Sequence, residues 1–128
     1  MALTLTIADW CIFVAGLVVP FVFTLYAKAS KDFDNAKPRE YMEHLAGARK
    51  RAYWAVQNGY ETFPLFLAAV LLAERAAVAQ ATVDMLAVGF VACRLVYGVM
   101  YVLDKATLRS LVWVAALGCV VALFVLSA

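Results

Sequence analysis

The sequence predicts an all-α integral membrane fold, a single domain of four helices in an up-down-up-down bundle. Composition, apolar block lengths and charge distribution each point there. Of 128 residues, 66% are hydrophobic and 16% charged, and the mean hydropathy is +0.86. Soluble domains run about 45–50% apolar and about 25% charged. A soluble fold this small has too little interior for so much apolar surface, because small domains bury a smaller share of their chain. The bilayer must act as solvent.

Four apolar blocks fall at approximately 3–27, 52–73, 83–103 and 108–127. Each is close to the roughly 20 residues that a helix needs to cross the hydrocarbon. A membrane barrel would show alternating segments of about 10 residues instead, and that pattern is missing. The first block has no basic leader and carries Asp9, which argues against a cleaved signal peptide.

Charge supplies the orientation. Lys28, Lys31, Lys37, Arg39, Arg49 and Lys50 crowd the connection 28–50, and Lys105 and Arg109 flank the third block on the same side. The other side offers Arg75 beside Glu74 and Asp84. The positive-inside rule places loop 28–50 in the cytoplasm and both termini outside. The net charge of +2 is therefore a topology signal and gives no support to a nucleic-acid partner.

Along the chain, the 28–50 connection is the one long loop, and loops beyond about 12–15 residues are often functional or disordered. Its stretch "REYMEHLAGARKRAYW" is helix-compatible, so the second helix is expected to start before the membrane. The other connections are short, which makes neighbouring helices antiparallel. Pro20 and Pro64 lie inside apolar blocks and are expected to kink their helices by removing a backbone donor. Cys11, Cys93 and Cys119 are odd in number and sit in apolar blocks, so free buried thiols are expected. His44 stands alone in the charged loop. With no second ligand at metal spacing it is read as solvated, and no metal is expected.

The informative residues are polar ones inside the blocks. Arg51, Asn58 and Glu61 are spaced by seven and three, one face of the second helix. Arg94, Tyr97 and Tyr101 are spaced by three and four on the third. Glu61 lies ten positions beyond Arg51, and Arg94 ten before Asp104, so both charges sit about 15 Å deep at 1.5 Å per residue. Arg94 is thus the natural counter-charge for Glu61, directly or through a ligand. A charged residue at the centre of a membrane helix costs about 2.5–3.5 kcal/mol on insertion scales. A buried ion pair that only fixes helix packing is the plain alternative. Asn58, Arg51 and the tyrosines exceed what one pair requires, which favours a polar cleft open to the cytoplasm. Guanidinium groups suit carboxylates, Glu61 suits an ammonium, and the amide and phenols suit peptide groups. A small zwitterionic peptide matches that inventory.

At these residues the sequence resembles the MAPEG family, membrane-associated proteins in eicosanoid and glutathione metabolism, in its bacterial type. "RAYWAVQNGYETFPLFLA" (51–68) is similar to the family's second-helix signature, an arginine followed by Asn-x-x-Glu and Phe-Pro-x-Phe. "RLVYGVMYVLDKATLRS" (94–110) is similar to its third-helix pattern. The resemblance implies a homotrimer in the bacterial inner membrane, surrounded by lipid, that holds glutathione as co-substrate between subunits. It implies that Arg51 and Arg94 bind carboxylates and Glu61 the amino group, with Asn58, Tyr97 and Tyr101 as hydrogen-bonding partners. Arg109 would stabilise the thiolate, and Ser110 matches a serine of some members. Trp54 and Gln57 depart from the pattern, standing where some relatives carry further arginines.

The implied activity is a glutathione-dependent transferase or peroxidase acting on a lipophilic small-molecule substrate. Two alternatives stand beside it. One is a catalytically silent lipid- or peptide-binding scaffold of the same fold. The other is a small proton-coupled multidrug transporter, a type that carries its glutamate in the first helix and shows little loop-charge bias.

Overall fold

A computed structural model describes residues 3–128. Among these residues there are five helices and no strand. They are α1 (Ile7–Lys28), α2 (Pro38–Glu43), α3 (Gly47–Arg75), α4 (Gln80–Val102) and α5 (Ala106–Ser127). Three of them, α1, α4 and α5, are long and apolar enough to cross a membrane. The 29-residue α3 has the length, but Arg51, Gln57, Asn58 and Glu61 interrupt its apolar run.

The start of α1 is fixed by a reciprocal capping box. The Asp9 amide donates to Thr6 Oγ1 (3.0 Å), and the Thr6 amide donates to Asp9 Oδ2 (2.9 Å). The Ala8 amide, another donor without a partner inside the helix, reaches Asp84 Oδ1 at 2.9 Å. The Thr6 hydroxyl donates to Glu74 Oε1 at 2.7 Å, and Gln80 Nε2 bridges Glu74 (3.0 Å) and Asp84 (2.8 Å). These carboxylates therefore tie the start of α1 to the α3–α4 turn.

Farther along α1, the turn Val14–Val18 is a π-helix, with the Val19 amide donating to the Val14 carbonyl. Pro20 follows directly. A proline clashes with the carbonyl four residues back, here Gly16, and supplies no donor to it. A wide turn at this point lets the helix continue without a break.

Both short turns close in the same way. The Val78 amide donates to the Ala73 carbonyl (3.1 Å) and the Lys105 amide to the Met100 carbonyl (2.9 Å). Each bond spans a left-handed residue, Ala77 (φ 58°) or Asp104 (φ 59°), the Schellman ending of α3 and α4. Contacts then set the directions of the helices. Arg51 meets the Tyr101 and Val102 carbonyls, and Phe66 stacks on Phe90 with centroids 4.0 Å apart, so α3 and α4 are antiparallel. Thr6 meeting Glu74 makes α1 antiparallel to α3.

The expected single run "REYMEHLAGARKRAYW" is divided. Helix α2 ends at Glu43, and α3 begins at Gly47, whose φ of +65° is costly for any residue with a Cβ. The long loop is packed. Tyr41 Oη donates to the Ala27 carbonyl (3.1 Å), and Lys50 Nζ donates to the Met42 (3.1 Å) and Glu43 (2.8 Å) carbonyls. Arg49 donates to the Ala29 carbonyl. Cations on the last carbonyls of a helix complement its dipole, so two of the loop's basic residues are occupied in this way.

The main core lies toward the α3–α4 turn. It gathers Phe66, Val70, Val83, Phe90, Val120 and Leu123. Large apolar side chains elsewhere face outward, among them Phe21, Leu111 and Val114 at 56, 61 and 59% exposure. That is the inverse of a water-soluble surface and what a hydrocarbon solvent permits.

Candidate functional site

The polar groups collect in the other half of the molecule, toward the charged loop. Arg94 is 5% exposed, and it is the buried polar or charged residue among those described. Its Nη1 donates to Asn58 Oδ1 at 2.9 Å, and its guanidinium lies over the Tyr97 ring, 4.2 Å from the centroid. The Asn58 amide then donates through Nδ2 to Glu61 Oε2 at 3.4 Å. Asn58 therefore stands between acid and base, one turn of α3 before Glu61. The depth match expected for Glu61 and Arg94 holds, but no direct ion pair joins them: the one salt bridge among the described residues is Lys37–Glu40.

From Tyr97 the chain of contacts continues toward the loop side. Tyr97 and Tyr101 meet edge to face at 5.6 Å, and the Arg109 guanidinium lies 4.4 Å from the Tyr101 centroid. The order Arg94, Tyr97, Tyr101, Arg109 thus sets one cation against each of two touching rings, an arrangement favoured by the ring quadrupole. One turn of α4 separates the tyrosines, and the tight turn at Asp104 brings Arg109 of α5 back over them.

Two cavities meet at this line. An open cleft of about 360 Å³ is lined by Trp54, Gln57, Asn58, Glu61, Tyr97 and Tyr101. A second space of about 240 Å³ lies between α3, α4 and α5, shares Asn58 and Glu61 with it, and is also lined by Arg94. No buried side-chain polar atom lacks a partner among the described residues. The exposed carboxylate of Glu61 faces the cleft with one partner only, the Asn58 amide, and retains acceptor capacity for a ligand.

The expected residues separate into two groups. Asn58, Glu61, Arg94, Tyr97, Tyr101 and Arg109 are connected as described. Arg51 lies apart: its Nε and Nη2 donate to the Tyr101 and Val102 carbonyls at 3.1 Å, where it caps the end of α4 beside the mouth of the cleft. Ser110 is exposed, makes no side-chain hydrogen bond among the described residues, and sits about 100° around α5 from Arg109. Trp54 and Gln57 both line the cleft, four and one positions before Asn58, so the departures from the family pattern are in the site itself. Trp113, one turn beyond Arg109, lines the second space and went unnoticed in the sequence, although its spacing from Arg109 could have revealed it.

His44 is exposed, with Nδ1 2.8 Å from the Glu40 carbonyl. Cys11, Cys93 and Cys119 are free as expected, but only Cys11 is buried, Cys93 and Cys119 being partly exposed. Among the described residues no group of three His, Cys, Asp or Glu side chains is placed to hold a metal.

A helical chain with bilayer-length apolar segments and a cation–phenol–amide–carboxylate line running from the buried Arg94 to an open cleft defines a membrane protein with a polar site between its helices. The sequence profile of the MAPEG family matches residues 7–128, and the chain belongs to that family. No curated protein and no solved structure matches it. Membership makes this a membrane protein related to those of glutathione or eicosanoid metabolism.

Proposed function

We propose that the protein is a glutathione-dependent membrane transferase or peroxidase acting on lipophilic electrophiles. The observation that carries this reading is the convergence of Asn58, Glu61, Tyr97 and Tyr101 on one cleft, with Arg94 bonded to Asn58 behind it and the Arg109 guanidinium over the Tyr101 ring. In this reading α3 crosses the bilayer with α1, α4 and α5, giving four spans. The 28–50 loop and the cleft mouth face the cytoplasm of a bacterial inner membrane. Three copies assemble, and glutathione lies against the α3–α4 cleft at a boundary between copies.

The roles follow from charge. Glu61 receives the ammonium of the γ-glutamyl group, with Asn58 holding the carboxylate in place. Arg94 and Arg51 supply positive charge for the glutathione carboxylates, and Gln57 with the two tyrosines donates to its amides. A free thiol near pKa 8.5 is only a few per cent thiolate at neutral pH. Arg109 stabilises the anion once the proton has left to solvent, and the thiolate is the nucleophile. With an aryl halide, sulfur bonds to the ring carbon and halide departs. With an organic hydroperoxide, two glutathiones supply two electrons and two protons, leaving an alcohol, water and the disulfide. Ser110, about 100° around α5 from Arg109, is a candidate only for positioning that arginine.

The test is conjugation of a chromogenic aryl chloride by detergent-purified protein. Arg109→Ala is expected to lower kcat/KM by about a hundredfold, the scale of losing one transition-state charge contact, with glutathione affinity changed much less. Unchanged activity in Arg109→Ala removes that residue from the mechanism. The scaffold reading draws support from Trp54 and Gln57, which leave the cleft with fewer cations. Lipid binding without glutathione binding would establish it. The multidrug-transporter alternative belongs to a family other than the one the chain matches.

A further inference from the structure

Another space, of about 470 Å³, opens on the loop side between the end of α1, helix α2 and the first half of α3. Thr24 and Lys28 line it from α1, Arg39 from α2, and Tyr53, Val56 and Tyr60 from α3. Gln57 is the one residue it has in common with the peptide cleft.

Its charge is uncompensated. Among the described residues no carboxylate lines it, and neither Lys28 nor Arg39 makes a salt bridge. Glu40, the residue after Arg39, pairs with Lys37 instead (3.7 Å). The neighbouring cations Arg49, Lys50 and Arg51 are occupied by main-chain carbonyls. Lys28 lies over the Phe33 ring, 5.2 Å from its centroid, a contact that holds the ammonium in place without neutralising it. The Tyr53 phenol accepts from Gln57 Nε2 at 3.0 Å, which leaves its own O–H to donate.

Polarity falls along the walls toward the bilayer. Phe21, Thr24 and Lys28 are spaced by three and four, one face of α1, and Phe21 is exposed. Lys28 and Phe21 are about 10 Å apart along the axis. On α3 the face Tyr53, Val56, Tyr60 descends the same way to an exposed Tyr60. One end is thus cationic and hydroxylated, and the other is apolar and open to hydrocarbon. At about 470 Å³ the space falls in the range of about 300–1,000 Å³ that drug-sized ligands occupy, more than a bare phosphate fills.

We propose that this space seats the phosphate of an anionic glycerophospholipid from the cytoplasmic leaflet. Lys28 and Arg39 meet the phosphate oxygens, the Thr24 and Tyr53 hydroxyls donate to them, and an acyl chain lies along Phe21 and Tyr60. Basic pockets between helices on the cytoplasmic side bind anionic headgroups in this way. The lipid is a resident ligand that ties α1, α2 and α3 together, and no chemistry passes through it. The site uses the orientation read from loop charge and draws nothing from the glutathione reading.

The test is native mass spectrometry of the detergent-purified full chain titrated with phosphatidylglycerol. One lipid per chain is expected to bind saturably. Phosphatidylcholine, whose choline cation offsets the phosphate, is expected to bind at least tenfold more weakly. Lys28→Gln/Arg39→Gln is expected to weaken phosphatidylglycerol at least tenfold. Lys31→Gln/Lys105→Gln removes the same charge from exposed positions outside the space and is expected to change affinity less than twofold. Arg39→Gln alone, at an exposed residue, keeps the test open if the first double variant misfolds, and a severalfold loss is expected. Equal affinity for the two lipids, equal losses in the two double variants, or no loss in Arg39→Gln overturns the proposal. Glycerol 3-phosphate binding as tightly as phosphatidylglycerol assigns the space to a free phosphate ester and overturns the lipid. Absence of phosphatidylglycerol from folded wild type also overturns it, and cross-linking between copies through Arg39→Cys would then name a second copy as the occupant. Glutathione has no part in these measurements, so either reading can fail without the other.

Discussion

Asn58 decides how the interior charges coexist. Its carbonyl oxygen accepts from Arg94 and its amide nitrogen donates to Glu61, so one side chain satisfies a cation and an anion while leaving both free to bind a ligand. Asn58→Leu is expected to leave Arg94 buried without its hydrogen-bond partner. Side-chain hydrogen bonds between membrane helices contribute about 0.6–2 kcal/mol, and the cost of an orphaned charge adds to that. A lowered thermal midpoint in detergent, with glutathione binding lost, is the expected outcome. A midpoint equal to wild type would mean that Arg94 finds another acceptor. At this scale spacing made the Asn58–Glu61 and Arg94–Tyr97–Tyr101 stripes legible, and the antiparallel depth estimate put them together. It could not show that Arg51, on the same face, would be taken by the carbonyls at the end of α4. Periodicity gives a direction from the helix axis, whereas the acceptor reached depends on where the neighbouring helix stops.

Elements add constraints of their own. The apolar blocks located the long helices to within a few residues at most ends. The proline at position 20 signalled a distortion, but a π-turn absorbs it, since the choice between kink and widened turn rests on packing against α3. There Gly16 faces the Phe63 ring, and a Cβ at Gly16 would lie 2.7 Å from it. Gly98 is still more closely covered by the Phe23 ring. Gly98→Ala is expected to force α1 and α4 apart and destabilise the fold by about 1–3 kcal/mol, the usual cost of overpacking. Thermal unfolding measures it, and a neutral result would show that Phe23 rotates aside freely. The turns make the opposite prediction. Ala77 holds a left-handed conformation that costs a residue with Cβ about 1–2 kcal/mol, partly offset by the extra chain entropy of glycine. Ala77→Gly is expected to raise stability by up to about 1 kcal/mol, visible as a higher midpoint. Asp104, in the same conformation, belongs to a residue type that tolerates it better and should gain less.

At the scale of the whole molecule, the fold divides its labour. Apolar layers around Phe66 and Phe90 fill the half beside the α3–α4 turn, and the costly polar groups occupy the half beside the basic loop. Composition made the membrane class legible. The hydrophilic face of α3 also hid it from a criterion of length and apolarity that α1, α4 and α5 satisfy. In the proposed reading, where α3 also spans the bilayer, a shared interior site or a neighbouring copy accounts for its polar stripe. The proposed trimer is expected to appear as three-chain species on cross-linking in membranes, and a monomer at all cross-linker concentrations would contradict it. The orientation is checked by a single cysteine introduced at Ala36, in the exposed part of the loop. After replacement of the native thiols, labelling is expected only from the cytoplasmic side.

The most direct measurement is calorimetric titration of glutathione into the purified protein, wild type against Arg94→Ala and Glu61→Gln. Saturable binding is expected in the wild type, weakened at least tenfold in each variant, since a hydrogen bond to a charged group contributes about 1.5–3 kcal/mol. Binding of equal affinity in all three proteins, or no binding by a folded wild type, would contradict the assignment of this interior line of residues to a peptide thiol.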